Sequence, residues 1–393
     1  MSRAAWVVCL KEIRENLRDR RAVLSSLLMV PVGMPLFFVF MITVVLPQQL
    51  EKADKPLSLP VAGAEHAPNL LAHLRREGVQ IEPAPEDVEQ AVRERHHDLV
   101  LVIPAAYPAQ WAAGEPARVD LVFDATRREA GASVERARAQ LQAYAALNGA
   151  LRLQARGVSP QVMRPLQIVD RDLSTPAAQG AVLLAMLFYF LMLAMLVGGM
   201  YLAIDGTAGE RERQSLEPLL IVPAARLDLV LGKLLAVVAF ALLALLITLA
   251  GFSTLVPAAA AQAPQALDIR FTPLLALQLG LLVAPIALPV AGLQMLVASF
   301  SRSFREAQTY IGIVMILPIV PSVALLLFPV KAQLWMMTIP IYGQSLLCDA
   351  LLRGEGVDPV AALVATLSTL LAGLGLAAAN TAFYRRERIA FST

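Results

Sequence analysis

The residues best suited to chemistry in this 393-residue chain crowd into one short stretch. Asp205, Glu210, Arg211, Glu212 and Arg213 carry its charge, and Leu216, Leu219, Leu220 and Val222 follow, with Glu217 among them and Arg226 and Leu231-Gly232-Lys233 beyond. A loop that only connects two elements does not need such leucine and valine residues beside so many charges. Charges that fix register and leucines that fill a groove predict a short amphipathic helix offered to a protein partner, ahead of an interfacial loop helix that touches only lipid. Nothing else in the chain reads as catalytic. The four histidines, His66, His73, His96 and His97, have no zinc-type spacing. No Ser-His-Asp or paired-carboxylate arrangement stands out by spacing. The single Gly-Lys pair, Gly232-Lys233, precedes Leu234 and lacks the upstream glycine of a phosphate-cradling loop.

The elements that must position that stretch are apolar. Hydrophobic residues make up 57% of the chain and charged residues 16%, against about 45–50% and about 25% in soluble domains. A formal charge of +2 excludes a nucleic-acid surface built on bulk charge, and two cysteines exclude a disulfide scaffold. Six runs, 22–50, 173–204, 234–267, 271–301, 307–330 and 359–384, contain no Asp, Glu, Lys or Arg. Each reaches the ~20 residues that a helix needs to cross a bilayer. The expected fold is a polytopic α-helical membrane protein with six transmembrane helices. Segment 332–350 carries one charge at its edge and is broken by Pro340 and Gly343. It predicts a re-entrant or interfacial pair of short helices.

Lys and Arg set the orientation. Arg3, Lys11, Arg14, Arg18, Arg20 and Arg21 precede the first run; Arg211, Arg213, Arg226 and Lys233 follow the second; Arg302 and Arg305 follow the fourth; Arg385, Arg386 and Arg388 follow the last. The opposite side has only Arg270, Lys331 and Arg353 in its short loops. Both termini are therefore expected in the cytoplasm, with Cys9 and Cys348 on opposite sides of the membrane.

Residues 1–21 predict a cytoplasmic amphipathic helix whose stripe of Trp6, Leu10, Ile13 and Leu17 lies in the headgroup boundary. Residues 22–46 form transmembrane helix 1, and 47–176 a large extracytoplasmic α/β domain between helices 1 and 2. In that domain strands at 57–62, 79–81, 98–103 and 119–123 alternate with helices at 69–77, 87–95 and 133–155, which implies a partly parallel sheet. Residues 177–393 supply five further transmembrane helices, with a loop at 205–228.

The run from Gly209 through Glu210-Arg211-Glu212-Arg213 to Leu216-Glu217-Pro218-Leu219-Leu220, followed by Pro223, Arg226 and Leu231-Gly232-Lys233, resembles the signature of exporter-type ABC permeases. It is most similar to their sodium-export, NatB-like branch. The opening Lys11-Glu12 with Arg18-Asp19-Arg20-Arg21, the closing Phe383-Tyr384-Arg385-Arg386-Glu387-Arg388-Ile389-Ala390-Phe391 and the layout of spans resemble the same family. The resemblance implies that 205–228 is a coupling segment seated on a separate ATPase subunit, with ATP and Mg bound there and no cofactor in this chain. It implies two permeases, as a homodimer, with two ATPases, and sodium or another small cation as cargo ahead of a drug, peptide or lipid. The absence of Asp and Glu from the six runs independently favours energy supplied from outside over ion-driven transport. Within the runs Thr43, Gln179, Tyr189, Thr248, Gln278, Gln294, Thr309, Tyr310, Ser368 and Asn380 offer oxygens for a pathway, or serve helix packing. The alternative from another class is an envelope sensor or scaffold in which 47–176 binds a ligand and the spans only anchor it.

Overall fold

The computed structural model describes residues 2–45, 47–48, 56–94, 96–163, 184, 186–215, 225–262, 271–316, 318–321, 323 and 332–384. They divide into two compact units, Met1–Pro47 with Leu173–Thr393, and Gln48–Asp172.

The first unit opens with α1 (Arg3–Arg18), whose N-cap Ser2 accepts from the Ala5 amide. A long apolar helix follows over Leu24–Val45. Its centre is α2 (Val30–Phe40), where Pro35 lacks the N–H that would continue the ladder. The flanking stretches Leu24–Met29 and Met41–Val45 wind as π-helix, the irregularity expected beside such a break.

The second unit runs β1 (Ser58–Ala62), α3 (Pro68–Arg76), β2 (Gln80–Pro83), α4 (Val88–Arg93), β3 (Leu99–Val102), α5 (Tyr107–Ala113), β4 (Asp120–Phe123) and α6 (Arg128–Ala155). Strand order is β2-β1-β3-β4. β1 is parallel to β2 and β3, with Leu59 opposite Ile81 and Val61 opposite Leu101, and β4 closes the sheet antiparallel. The two helix crossovers make the parallel pairs possible. Leu59, Val61, Leu99 and Leu101 bury against Leu70, Leu71 and Leu74 of α3 and Val134, Ala137 and Tyr144 of α6. The expected stripe on α6 holds only in part, because Leu147 and Leu151 are exposed. A 28-residue helix is about 42 Å long and outruns strands of four or five residues. α5 is an addition to the sequence reading. It stacks Tyr107 on Trp111 and Trp111 on Tyr144, each at 5.6 Å, with the Arg152 guanidinium 4.3 Å above the Trp111 ring. Burial, helped by Tyr144, pushes the Tyr107 hydroxyl up to about 12.

The first unit resumes with α7 (Leu187–Ile204), α8 (Arg226–Ala260), α9 (Pro273–Val283), α10 (Ala287–Phe300), α11 (Phe304–Val314), α12 (Tyr342–Leu352) and α13 (Pro359–Tyr384). Among the described residues five helices are long and apolar enough to cross a membrane: Leu24–Val45, Leu187–Glu212, Arg226–Ala260, Pro273–Phe300 and Pro359–Tyr384. Of the other expected span, 307–330, the described part includes α11, and 317, 322 and 324–330 lie outside the described residues. Pro285 sits in a 3-10 turn, Ala284–Ile286, that joins α9 to α10. Segment 332–350 is a 3-10 turn, Leu334–Thr338, followed by α12, with the break at Pro340 and at Ile341, whose φ is +70°. Small residues let α7 and α8 approach closely: a side chain at Gly198 would meet Ala244 Cβ at 2.5 Å.

Two boundaries differ from the sequence reading. α7 does not stop at Ile204 but passes through a π-helical turn, Asp205–Gly209, into Glu210–Glu212. α8 starts at Arg226, ahead of the charge-free run at 234, and carries Asp228 and Lys233 inside it. In both places charged side chains find partners within the chain, so charge does not mark the end of the helix.

Because the second unit has its own core, residues 56–163 expressed alone are expected to unfold in one cooperative step in urea. Leu101→Ala, at a fully buried central position, should lower that stability by about 2–5 kcal/mol. A broad transition without a midpoint would show that the fragment needs the helical unit.

Candidate functional site

At the end of the helical unit where α7 stops and α8 begins, charges meet in a cluster built on Lys233. Lys233 is 3% exposed, donates to the Gly206 carbonyl at 2.7 Å and pairs with the Glu210 carboxylate. A buried ammonium needs both an opposite charge and acceptors for its protons. The π-helical turn supplies them, since it shifts the ladder so that Gly206 O faces Lys233 and Glu210 follows one turn later.

The next two residues face other helices. Arg211 donates through Nη2 to Ser299 O at 2.9 Å and through Nη1 to Ser301 O at 3.1 Å. It thus places a cation on the last carbonyls of α10, the negative end of that helix. Glu212 Oε2 accepts from the Phe304 amide at 2.8 Å, the first residue of α11. A carboxylate there satisfies an otherwise unpaired donor and meets the positive end of the helix dipole. Ser303 and Glu306 cap the same helix end, Ser303 Oγ accepting from Glu306 N and Glu306 accepting from Arg302 N. Three consecutive residues therefore bind three different helices: Glu210 to α8, Arg211 to α10, Glu212 to α11. Arg213 pairs with Asp205, and Arg226 Nη1 donates to Tyr384 O at the end of α13 at 3.3 Å.

α1 completes the cluster, with a different face from the one its apolar stripe suggested. Ala5, Cys9, Glu12 and Asn16 are buried, whereas Trp6 and Leu17 are exposed and Leu10 and Ile13 are half-buried. The helix is thus not merely laid on a membrane surface: its small and polar face docks on the start of α8. Gly232 makes this possible, because a Cβ there would lie 2.6 Å from Ala5 O and 2.7 Å from Val8 Cβ. Glu12 is 4% exposed and pairs with Lys11 at 3.3 Å. Its carboxylate lies close to Gly206, beside Lys233. Farther along, Tyr201 donates to Asp19 at 2.8 Å. Burial, with Glu12 next to it, pushes the Cys9 thiol up.

Of the sequence-predicted partner-binding residues, Glu210, Arg211, Glu212, Arg213 and Arg226 come together here. Leu216, Glu217, Leu219 and Leu220 lie outside the described residues, as do Gln179 and the closing motif from Arg385 onward. The remaining pathway residues are not brought together. Thr43 is exposed and bonds back to Val39 O. Tyr189 is half-buried against Phe190, Gln278 is exposed, and Tyr310 donates to Glu306. Gln294, fully buried, donates to Leu196 O at 2.6 Å and joins α10 to α7. In the second unit a His66 ring nitrogen lies 3.0 Å from Ile103 O and His73 packs on Tyr144. Among the described residues no group of three or more His, Cys, Asp or Glu is placed to hold a metal ion.

Lys233 and Glu12 were named in the sequence motifs, but their burial together in this cluster was not expected. The signal was present: 5, 9, 12 and 16 repeat with the same four-three-four spacing as the apolar stripe, and Lys233 sits seven residues, two helical turns, after Arg226.

Two outcomes are expected. Lys233→Met leaves Glu210 buried without its counter-charge and should cost about 3–5 kcal/mol, read as a lowered thermal midpoint in detergent; adding Glu210→Gln should restore most of it. Gly232→Val should push α1 off α8. The released thiol then titrates nearer its ordinary value, so in a Cys348→Ala background Cys9 becomes maleimide-reactive at pH 8, while the parent stays unreactive.

The part of the cluster from Tyr201 to Phe304 lies in a region that known proteins share. Residues 21–381 match the sequence profile described as ABC-2 family transporter protein. The chain is 27% identical over 371 residues to the "ABC transporter permease protein NatB" of Bacillus subtilis (strain 168), covering 92% of each chain. No solved structure matches it. With its apolar spans and a profile match over nearly its full length, the chain belongs to the ABC-2 family of transporter proteins.

Proposed function

We propose that the chain is the membrane-spanning permease subunit of an ATP-driven ABC exporter. It forms the translocation pathway with a second copy of itself and takes its energy from a separate ATPase subunit, which binds the ATP and Mg; this chain performs no catalysis. In this reading it sits in the bacterial inner membrane as six transmembrane helices, with both termini and the charged cluster cytoplasmic and residues 47–176 extracytoplasmic. Sodium or another small cation is the proposed cargo, from the likeness to the NatB-like branch.

The observation that carries the reading is the hub Glu210-Arg211-Glu212, bonded to α8, α10 and α11. The residues that follow, Leu216, Glu217, Leu219 and Leu220, are of the types that fill and orient a helix in a partner's groove. A partner that grips that segment pulls directly on three helices through charge-assisted bonds, among the stronger hydrogen bonds a protein can make. Arg226, tied to the end of α13, brings in a fourth helix.

Co-purification with the ATPase subunit tests the docking half. Leu216→Asp together with Glu217→Arg should abolish co-purification, and an intact complex would remove the coupling role. Arg211→Ala should keep the complex but uncouple it, so that ATP hydrolysis continues while efflux falls. ATP-loaded vesicles of the complex should lose sodium. Sodium retained under these conditions removes the proposed cargo, and transport by the purified chain without an ATPase removes the proposed mechanism.

A further inference from the structure

At the other end of α13 from the charged cluster lies a groove that, apart from Gln278, holds none of the pathway residues named above. α13 has 26 residues and is therefore about 39 Å long, so its first turns are far from Tyr384. The groove has a volume of about 770 Å³ and is walled by Leu275, Leu281 and Leu282 of α9, Leu351 at the end of α12, and Ala362 and Leu363 of α13. Its polar groups are few: Gln278, Thr366 and the carboxylate of Glu355.

Three features together select a ligand. The volume falls in the range of about 300–1,000 Å³ that suits drug-sized molecules. The walls come from the first turns of two helices apolar enough to cross a membrane, so the groove stands where hydrocarbon gives way to water. Among the described residues that line it, Glu355 is the only charged one. Arg353 is held by Asp349 at 2.9 Å, whereas among the described residues Glu355 forms no ion pair and is exposed. Glu355 follows directly on the end of α12, where Gly354, with φ +76°, and Glu355 donate to Leu351 O and Ala350 O. The negative end of that helix dipole adds to the carboxylate.

We infer that this groove binds a lipophilic organic cation, its apolar body among Leu275, Leu281 and Leu363 and its charge at Glu355. The site stands apart from the proposed ATPase contact. It holds whether or not the chain exports sodium, and binding alone reads it out.

The test uses the full chain in phosphatidylcholine nanodiscs and two probes of matched shape and opposite charge, tetraphenylphosphonium and tetraphenylborate. Saturable binding of the cation, one per chain, is expected, with no saturable binding of the anion. Glu355→Gln should weaken cation binding about fivefold, the size of one partly exposed ion pair. Leu363→Trp should fill the groove and abolish binding; because Leu363 is exposed, an unchanged thermal midpoint will show that this variant folds. The inference fails if the cation does not saturate, if the anion binds equally, or if both variants bind as the parent does. It also fails if added phosphatidylethanolamine displaces the probe from the parent chain, which would make the groove a lipid site.

Discussion

An ammonium group shut inside an apolar helix bundle organises one whole end of this protein. Lys233 cannot stay charged there without a carboxylate and a spare carbonyl. Both come from the same place, the π-helical turn at the end of α7, through Gly206 O and Glu210. Once Glu210 is committed to α8, the following residues point elsewhere. Arg211 reaches the end of α10 and Glu212 the start of α11. Each of these bonds also solves a local problem: Arg211 satisfies carbonyls at the buried end of α10, and Glu212 opposes the dipole at the exposed start of α11. One buried charge thus explains an irregular turn, two helix caps and the continuation of α7 past its apolar run.

The same logic accounts for α1. Its exposed stripe of Trp6 and Leu17 suits a lipid boundary, but what fixes its place is the opposite face. Backbone approach at Gly232 brings Ala5 and Val8 onto α8, and Glu12 follows into the ion cluster. An amphipathic helix held this way is mechanically part of the bundle. Movement of α8 is expected to carry α1 with it, because Gly232 packs directly on Ala5 and Val8 and Cys9 shares a core with Leu234 and Val237.

Much of the architecture was legible in the chain. Runs without charge mark the long helices because a bilayer core rejects charge over about 20 residues. Pro340 marks the break before α12, whereas Gly343 falls inside that helix and does not interrupt it; the alternation in 57–123 marks a partly parallel sheet. Boundaries were harder. Arg226 and Lys233 read as loop residues because a lone charge in an apolar helix is unfavourable, and its partner lies 23 positions away at Glu210. α5 was hidden because its helix is held by aromatic stacking on Tyr144 and not by a periodic apolar stripe.

Composition and local pattern alone determined that this is a multi-span helical protein with one separate α/β unit and a charged stretch next to leucines. Those properties depend on the transfer of side chains between water and an apolar phase, which each segment settles for itself. Only the tertiary structure decided that Glu210, Arg211 and Glu212 serve three helices, that Glu12 and Lys233 are buried together, and that Glu355 stands at an apolar groove. Each of those depends on which groups meet across long sequence separations. A charge inside a helical bundle takes its meaning from the partner it finds there.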